Sequence, residues 1–291
     1  MTALRSSPPE TSSAVTRQLL CWIDGLQAEV SFWDQWFRSK GGEWPHDYEE
    51  RLSKDRPLPS YLHDVVAHYE RTAPVQILDV GSGPLSSVGT NRDRSVQVRA
   101  VDPLAGAYAS FIKRERLAPP VWPEVAFAED LSAFFPCDAF DIVHCRNALD
   151  HSFDPLRGLW EMIAVLRIDG QVVLWHEVNV AEKEHYGGLH QWNFDIKDGR
   201  PVLWNNEHCH DLPKLLGSHC TVSGERLNGA VLIVIRKDQP LGIVNDAYRS
   251  ARIRDLLTAF SEVALLGPLR ATMARRLGRR IARLAPWSKA G

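Results

Sequence analysis

Acidic residues and glycines follow two apolar stretches at the spacing that a nucleotide-binding fold requires. Asp79 lies near the end of the apolar run 75–80, and Gly81 and Gly83 come directly after that run. Glycines in such a turn permit positive φ and allow a ligand to approach the backbone closely. Asp102 ends the next apolar run, about 20 residues further on, where such folds place the acid that accepts ribose hydroxyls. These residues predict a site for a ribose-containing cofactor.

Such residues need a sheet whose strands end at a common edge. Apolar stretches that predict strands lie at 75–80, 96–101, 121–127, 140–145 and 171–175. Helical spacing precedes the last of them, and Asp169-Gly170 indicates a turn between that helix and strand. The alternation predicts an α/β fold with a doubly wound, mostly parallel sheet. An asparagine-glycine pair joins two further strands, 221–227 and 230–237, and predicts an antiparallel hairpin.

Five segments in order resemble the motifs of class I S-adenosylmethionine-dependent methyltransferases with a type 11-like domain: ILDVGSGP, AVDP, AEDL, FDIVHCRNALDH and LRIDGQVVL. The resemblance covers about residues 75–237. It departs from the family at Leu85, which replaces the third glycine, and at Phe127, where an aspartate is frequent. It implies a Rossmann-like, seven-stranded sheet with a C-terminal antiparallel hairpin. It also implies S-adenosylmethionine as the cofactor.

The resemblance assigns the contacts of this cofactor to four strand ends. For the methionine end they are Asp79, Gly81, Gly83, Cys145, Arg146 and Asn147; for the ribose, Asp102; and for the adenine, Ala128, Glu129 and Asp130. The competing cofactor is a nicotinamide dinucleotide. Its fingerprint requires a third glycine where Ser86 stands, and no second nucleotide-binding half follows.

The acceptor site is expected beyond the same strand ends, where three residues are candidates for catalysis. His151 is suited to take a proton from an acceptor hydroxyl, because the pKa of histidine lies near the working pH. Asp150 is a second candidate base or a partner that orients His151, and His176 is the third candidate. The alternative is that His151 only packs at a helix start, since methyl transfer often needs only positioning.

A long segment after the fifth strand, 176–211, interrupts the predicted sheet. Long segments between core strands are usually functional, often as lids, although a surface excursion with its own small core is the alternative. His190, Trp192 and Asn193 make a polar and aromatic set suited to a hydroxylated acceptor. The histidines, acids and cysteine of the segment match no compact zinc pattern, so no metal is predicted.

The chain of 291 residues divides into four predicted zones. They are a disordered tail, 1–14; a tryptophan-rich helical cap, 15–72; the catalytic domain, 73–238; and a helical basic tail, 239–291. Cysteines are few and scattered, and neither a signal peptide nor a spanning helix is evident, so a cytoplasmic protein is expected. The net charge of −2 and the absence of a basic groove argue against nucleic acid as a partner.

The last zone has a different charge pattern from the rest of the chain. Six arginines surround an apolar stripe in 268–285, and no acid occurs from residue 268 to the end. A basic amphipathic helix of this kind can lie on an anionic membrane surface, which would place the protein at the inner membrane. It can equally pack on the acidic remainder of the chain or on a partner.

The predicted activity is methylation, most simply O-methylation, of a small molecule or glycan. The first alternative is a natural-product tailoring methyltransferase that acts on an aromatic or polyketide acceptor. The second is a non-catalytic protein that keeps the fold and serves as an adaptor in glycan assembly. Cofactor binding separates the second alternative from the other two.

Overall fold

A computed structural model describes residues 12–69, 73–89 and 96–241, together with residues 254, 257 and 258. The candidate membrane helix at 268–285 therefore lies outside the described residues, as does most of the predicted tail 239–291. Residues 1–11 of the predicted N-terminal tail lie outside them too. Within the described ranges, no helix is both long enough and apolar enough to cross a membrane.

Within the described ranges, ten strands form two sheets. The strands are β1 (Val75–Val80), β2 (Val96–Val101), β3 (Pro123–Glu124), β4 (Phe140–Arg146), β5 (Leu166–Glu177), β6 (Asn193–Lys197), β7 (Arg200–Trp204), β8 (Cys209–Asp211), β9 (Cys220–Leu227) and β10 (Ala230–Lys237). The main sheet has seven strands in the order β3-β2-β1-β4-β5-β10-β9. Strands β1 to β5 of this sheet run parallel, whereas β10 is antiparallel to both β5 and β9. The predicted α/β fold and its C-terminal hairpin are confirmed.

The same part of the chain contains eight named α-helices. They are α1 (Ser12–Arg38), α2 (Pro45–Leu52), α3 (Ser60–Ala67), α4 (Ala105–Arg114), α5 (Leu131–Phe134), α6 (Pro155–Val165), α7 (Val180–Lys183) and α8 (Leu212–Leu216). Central strands covered on both faces read as continuous apolar runs, and β4 is buried from Phe140 to Cys145. Helix α6 packs on one face with Leu159, and α3 packs on the other with Leu62.

Three expectations about local structure were wrong. The third strand, expected at 121–127, is only two residues long, because Pro123 and the preceding Pro119 and Pro120 cannot donate to a ladder. The fifth strand spans Leu166–Glu177 rather than 171–175. The predicted turn at Asp169 is instead an irregularity within this strand, where Asp169 has φ +61° and the register with β4 shifts.

The N-terminal cap is helical as expected, but α1 begins at Ser12, within the predicted disordered tail. Trp36 and Phe37 of α1 and Tyr48 of α2 form one apolar cluster with Leu85, which is fully buried. Leu85 stands where the family pattern has its third glycine. The cap thus supplies a pocket for the side chain that distinguishes this glycine turn from the family pattern.

The segment between β5 and β9 carries its own antiparallel sheet, in the order β6-β7-β8. Trp192, Phe194 and Leu203 from this segment belong to the same apolar cluster as the main sheet. The contact with β9 is close, because a Cβ at Gly224 would lie 2.7 Å from Pro201. The small sheet is therefore packed on the main one. Leu189 and His190, just before it in the chain, line the cavity described below.

Candidate active site

A cavity of about 520 Å³ lies beyond the carboxyl ends of β1, β2 and β4. Its floor comes from these strand ends and the turns after them, and α1 forms the opposite wall. The predicted cofactor residues that line it are Asp79, Gly81, Gly83, Asp102, Ala128, Glu129, Cys145, Arg146 and Asn147. Of the predicted acceptor-side residues, His151 and His190 line it. The strand ends of the sheet thus bring together most of the residues that the motifs indicated.

The glycine turn follows β1 with the conformation that its sequence predicts. Gly81 has φ +67° and Gly83 has φ +64°, a region that favours glycine. The backbone N–H of Gly81 donates to the carbonyl of Val101 over 2.8 Å, which ties the turn to the end of β2. A Cβ at Gly83 would lie 2.9 Å from the Trp33 ring of α1. The Trp33 ring of the cap therefore leaves too little room for a side chain at Gly83.

Two buried carboxyl groups, those of Asp102 and Glu129, face the cavity. Asp102 accepts hydrogen bonds from the backbone N–H groups of Gly83 and Leu104, over 3.0 and 2.8 Å. Burial raises the pKa of Asp102 to about 7, although these two bonds oppose the rise. Burial likewise raises the pKa of Glu129 to about 7. Both groups would be better solvated by a ligand that donates hydrogen bonds.

The third predicted adenine contact, Asp130, does not line the cavity. Its side chain forms a buried ion pair with Arg157 of α6. Ala128 and Glu129, directly before it, do line the cavity. The side chain of Asp130 is therefore committed to holding the 3₁₀ turn Ala128–Asp130 against α6.

The loop after β4 begins at a residue with positive φ. Asn147 has φ +46°, and its Oδ1 accepts a hydrogen bond from the backbone N–H of Glu177 over 2.8 Å. The guanidinium of Arg146 lies over the ring of Trp175, 4.8 Å from its centroid. Burial raises the pKa of the Cys145 thiol, so it remains a neutral, small apolar group in the cavity floor.

Asp79 belongs to a set of buried polar residues that we call the closed cluster: Tyr61, Asp79, Ser86 and His144. The Oδ1 of Asp79 lies 2.7 Å from His144 Nδ1, and its Oδ2 accepts a hydrogen bond from the Ser86 hydroxyl over 2.6 Å. The Nε2 of His144 lies 2.9 Å from the Tyr61 hydroxyl. Each member has a partner, and the cluster ties α3, β1, β4 and the glycine turn together.

A second set, the open cluster, lies at the other end of the cavity: Asp150, His151, His176 and His190. The Nε2 of His151 lies 3.0 Å from His190 Nδ1, and these atoms lie 3.6 and 3.5 Å from Asp150 Oδ2. The Nδ1 of His176 lies 3.2 Å from Asp150 Oδ1, without hydrogen-bond geometry. His176 is part of β5, not of the following loop as predicted, and its ring stacks on Phe194.

The open cluster carries a negative charge on Asp150. Burial alone would raise the pKa of Asp150, but His151, His176 and His190 hold that pKa well below its usual range. Burial lowers the pKa of His190, but the hydrogen bond and charge of Asp150 raise it more, so the net shift is upward. The cluster therefore centres on an ionised carboxylate surrounded by imidazole rings.

A second cavity of about 300 Å³ adjoins the first. Trp22, His151 and Leu189 line both cavities, so these side chains form the wall between them. Trp192 lines only the second. Asn193 lines neither, because it is fully buried and its Oδ1 accepts a hydrogen bond from the backbone N–H of Glu182 over 3.0 Å.

Several residues around the site had no motif to reveal them. Trp33 covers the glycine turn, and Glu29 accepts a hydrogen bond from the Trp33 indole over 2.8 Å. The Oε2 of Glu29 also lies 3.9 Å from His151 Nδ1. Their tryptophan-rich helix was noted in the sequence, but helical periodicity alone does not tell which side chains face a cavity.

Comparisons with known proteins give a family match and several similar folds. Residues 78–174 match the family model of a methyltransferase domain. No curated protein matches the sequence.

Three solved structures illustrate the similarity. The 1,6-didemethyltoxoflavin-N1-methyltransferase of Burkholderia thailandensis, with bound 1,6-didemethyltoxoflavin and S-adenosylhomocysteine, is 17% identical over 82% of this chain and 94% of that one, with a TM-score of 0.41. The YcgJ protein of Bacillus subtilis is 18% identical over 61% of this chain and 98% of that one, with a TM-score of 0.33. The CMeT domain of the citrinin polyketide synthase is 17% identical over 62% and 51%, with a TM-score of 0.41.

Proposed function

We propose that this chain, which contains a methyltransferase domain as its motifs predicted, uses S-adenosylmethionine to O-methylate a hydroxylated small molecule or saccharide. The cofactor supplies a methyl group on a positively charged sulfur, which makes that carbon electrophilic. The acceptor oxygen forms the new bond to carbon, the carbon–sulfur bond breaks, and the hydroxyl proton leaves. The products are a methyl ether and S-adenosylhomocysteine.

The cofactor cavity fits such a molecule in size and in chemistry. Its volume of about 520 Å³ lies within the range of small-molecule sites. Asp102 would accept the ribose hydroxyls, and Ala128 and Glu129 would contact the adenine, where an amino group can donate to Glu129. The glycine turn would leave room for the methionine end. Asp79 would act there mainly through the turn, because both of its oxygens are engaged in the closed cluster.

The position of His151 is the observation that carries the acceptor assignment. Its ring forms part of the wall between the cofactor cavity and the second cavity. An acceptor bound in the second cavity would therefore present its reacting oxygen beside His151. Trp22 and Trp192 offer ring faces there, while Gln191 and Asn205 offer amide groups, which suits a ring that carries hydroxyls.

His151 would hydrogen-bond the reacting hydroxyl and draw its proton away as the methyl group is transferred. Asp150 would keep the His151 and His190 rings in place and compensate positive charge. His176 would position Asp150 from behind, since it is almost fully buried and faces the other carboxylate oxygen. In this proposal His190 lies at the acceptor, Trp192 lines its cavity, and Asn193 acts only through the loop that it holds.

Cofactor binding is the first test. We expect S-adenosylmethionine and S-adenosylhomocysteine to bind the purified protein in calorimetry, and Asp102→Ala to weaken binding about tenfold to 100-fold through loss of charge-assisted hydrogen bonds. Gly106→Ala is the control, because a Cβ there has nothing within 4 Å. A folded wild-type protein that binds neither ligand would overturn the proposal.

Transfer is the second test, and it separates the acceptor classes. Radiolabelled methyl groups should appear on hydroxylated saccharides or small molecules, and the label should survive mild base, as an ether does and an ester does not. The aromatic walls of the second cavity also favour an aromatic or polyketide acceptor as runner-up. Transfer to soluble phenols alone would favour that runner-up, and cofactor binding without transfer to any acceptor would favour an adaptor.

A further inference from the structure

We propose that Asp150, His151 and His190 bind a divalent transition-metal ion at the acceptor end of the cavity. One ligand atom from each lies within 4.8 Å of the other two, and none of the three residues is fully exposed. The atoms are Asp150 Oδ2, His151 Nε2 and His190 Nδ1. No metal was predicted from the sequence, where His151 and His190 are 39 residues apart.

The separations of these atoms match one face of a metal coordination polyhedron. They are 3.0 Å between the two imidazole nitrogens, and 3.5 and 3.6 Å from these nitrogens to the carboxylate oxygen. Metal–ligand bonds of about 2.0 to 2.2 Å place neighbouring ligands roughly 3.3 to 3.6 Å apart in a tetrahedron. In an octahedron the same bonds give about 3.0 Å. A single ion can therefore reach all three atoms with little rearrangement.

In two of the proposed ligands, His151 and Asp150, the polar atom that would not bind the ion has a polar neighbour. Metal-bound histidines usually direct their other ring nitrogen at a carboxylate or carbonyl. The Nδ1 of His151 lies 3.9 Å from Glu29 Oε2. The second oxygen of Asp150 lies 3.2 Å from His176. Neither contact is a hydrogen bond as it stands, but each places a polar group of the expected kind beside a proposed ligand.

Unsatisfied polar atoms lie directly behind the proposed ligand atoms. Asp150 is 4% exposed, and within the described residues its Oδ1 and both ring nitrogens of His176 have no hydrogen bond. A buried carboxylate without a cation or sufficient donors is costly. The hydrogen-bonded histidines compensate this charge only in part, whereas a doubly charged ion bound to Oδ2 would compensate it directly.

Two imidazoles and one carboxylate favour zinc, iron(II), cobalt or nickel over magnesium and calcium, which prefer oxygen ligands. His151 and His190 line the cofactor cavity, so the remaining coordination positions would face it. If the proposed function holds, an acceptor hydroxyl would bind there as a ligand. The ion would then lower the pKa of this hydroxyl, so that its proton passes to solvent before transfer, since His151 Nε2 would be bound to the ion and could not accept it.

The test uses the full chain after chelator treatment, titrated with ZnCl₂ or CoCl₂ alone. We expect one equivalent to bind, with visible cobalt absorption that reports nitrogen ligands. His190→Ala and His151→Ala should each weaken binding about 100-fold or more, since removing even a supporting neighbour costs about 10- to 100-fold. Thermal unfolding of each variant would verify that it is folded.

His208→Ala is the matched control, because His208 is exposed and its ring centroid lies 5.9 Å from that of His210, which makes these two histidines the alternative place for an ion. Loss of binding in this variant, with retention in His190→Ala, would place the ion at the exposed pair and overturn the proposal. Wild-type binding no tighter than that of His190→Ala would overturn it as well. Metal binding by a protein that fails to bind S-adenosylhomocysteine would contradict the proposed function but not the metal site.

Discussion

The closed and open clusters each place a buried aspartate against histidine, but they differ in how fully their polar atoms are paired. In the closed cluster, both oxygens of Asp79 and both nitrogens of His144 have a partner within 2.9 Å. In the open cluster, both ring nitrogens of His176 lack a hydrogen bond within the described residues. The contacts of Asp150 in that cluster are also longer, from 3.2 to 3.6 Å.

This difference separates a structural role from a binding role. A buried polar atom without a partner costs more free energy than a satisfied one returns. A fully paired cluster is therefore explained by folding alone, and the closed cluster joins elements that must meet in any case. His151 and His190 of the open cluster line the cavity, and the unpaired atoms belong to Asp150 and His176 behind them. This arrangement leaves room for a ligand to add contacts at the cavity wall.

The largest expected effect is on the free energy of unfolding, and it is tested by substituting one histidine from each cluster. His144→Leu should lower the free energy of unfolding by about 3 to 5 kcal/mol, because it leaves the buried carboxylate of Asp79 without a main partner. His190→Ala should lower it by about 1 kcal/mol or less, because that side chain is partly exposed. Urea unfolding of both variants measures the two values. Equal losses would mean that the open cluster is structural as well.

The structure brings the residues predicted for the cofactor together in one cavity more completely than those predicted for the acceptor. Gly81, Gly83 and Asp102 lie at strand ends, so one strand prediction fixes each position relative to the others. His151 and His190 meet only because the segment after β5 turns back across the sheet. No local pattern encodes that turn. Asp79 was expected to touch the cofactor, whereas its pairing with His144 depends on the register of β1 against β4.

A second prediction concerns the turn that the closed cluster supports. Gly83→Ala should weaken S-adenosylhomocysteine binding about tenfold to 100-fold, because its Cβ would meet the Trp33 ring at 2.9 Å at a φ of +64°. Metal binding at the open cluster should not change. Gly106→Ala lies in α4 with open space around it and should leave binding intact. Calorimetry that finds full affinity in Gly83→Ala would place the cofactor elsewhere.

We also expect the affinity for the cofactor to depend on pH. The pKa of Asp102 is raised to about 7, and ribose hydroxyls donate best to the ionised form. Below that pH the carboxyl must lose its proton on binding, so affinity should fall as pH falls, by up to about tenfold per unit. Glu129, with a similarly raised pKa, would steepen the change if it also must ionise. Calorimetry at about pH 6 and about pH 8 measures the ratio, and Asp102→Asn should flatten it.

The smallest expected effect comes from a substitution that removes one hydrogen bond from the closed cluster and nothing else. Tyr61→Phe keeps the stacking of the ring on His144 but deletes the hydroxyl that lies 2.9 Å from its Nε2. We expect a loss of about 1 kcal/mol in the free energy of unfolding, with cofactor and metal affinities unchanged. A loss of cofactor affinity without a loss of stability would contradict the division between the clusters. It would show that the orientation of His144, transmitted through Asp79 and Ser86 to the glycine turn, is set for the ligand and not for the fold.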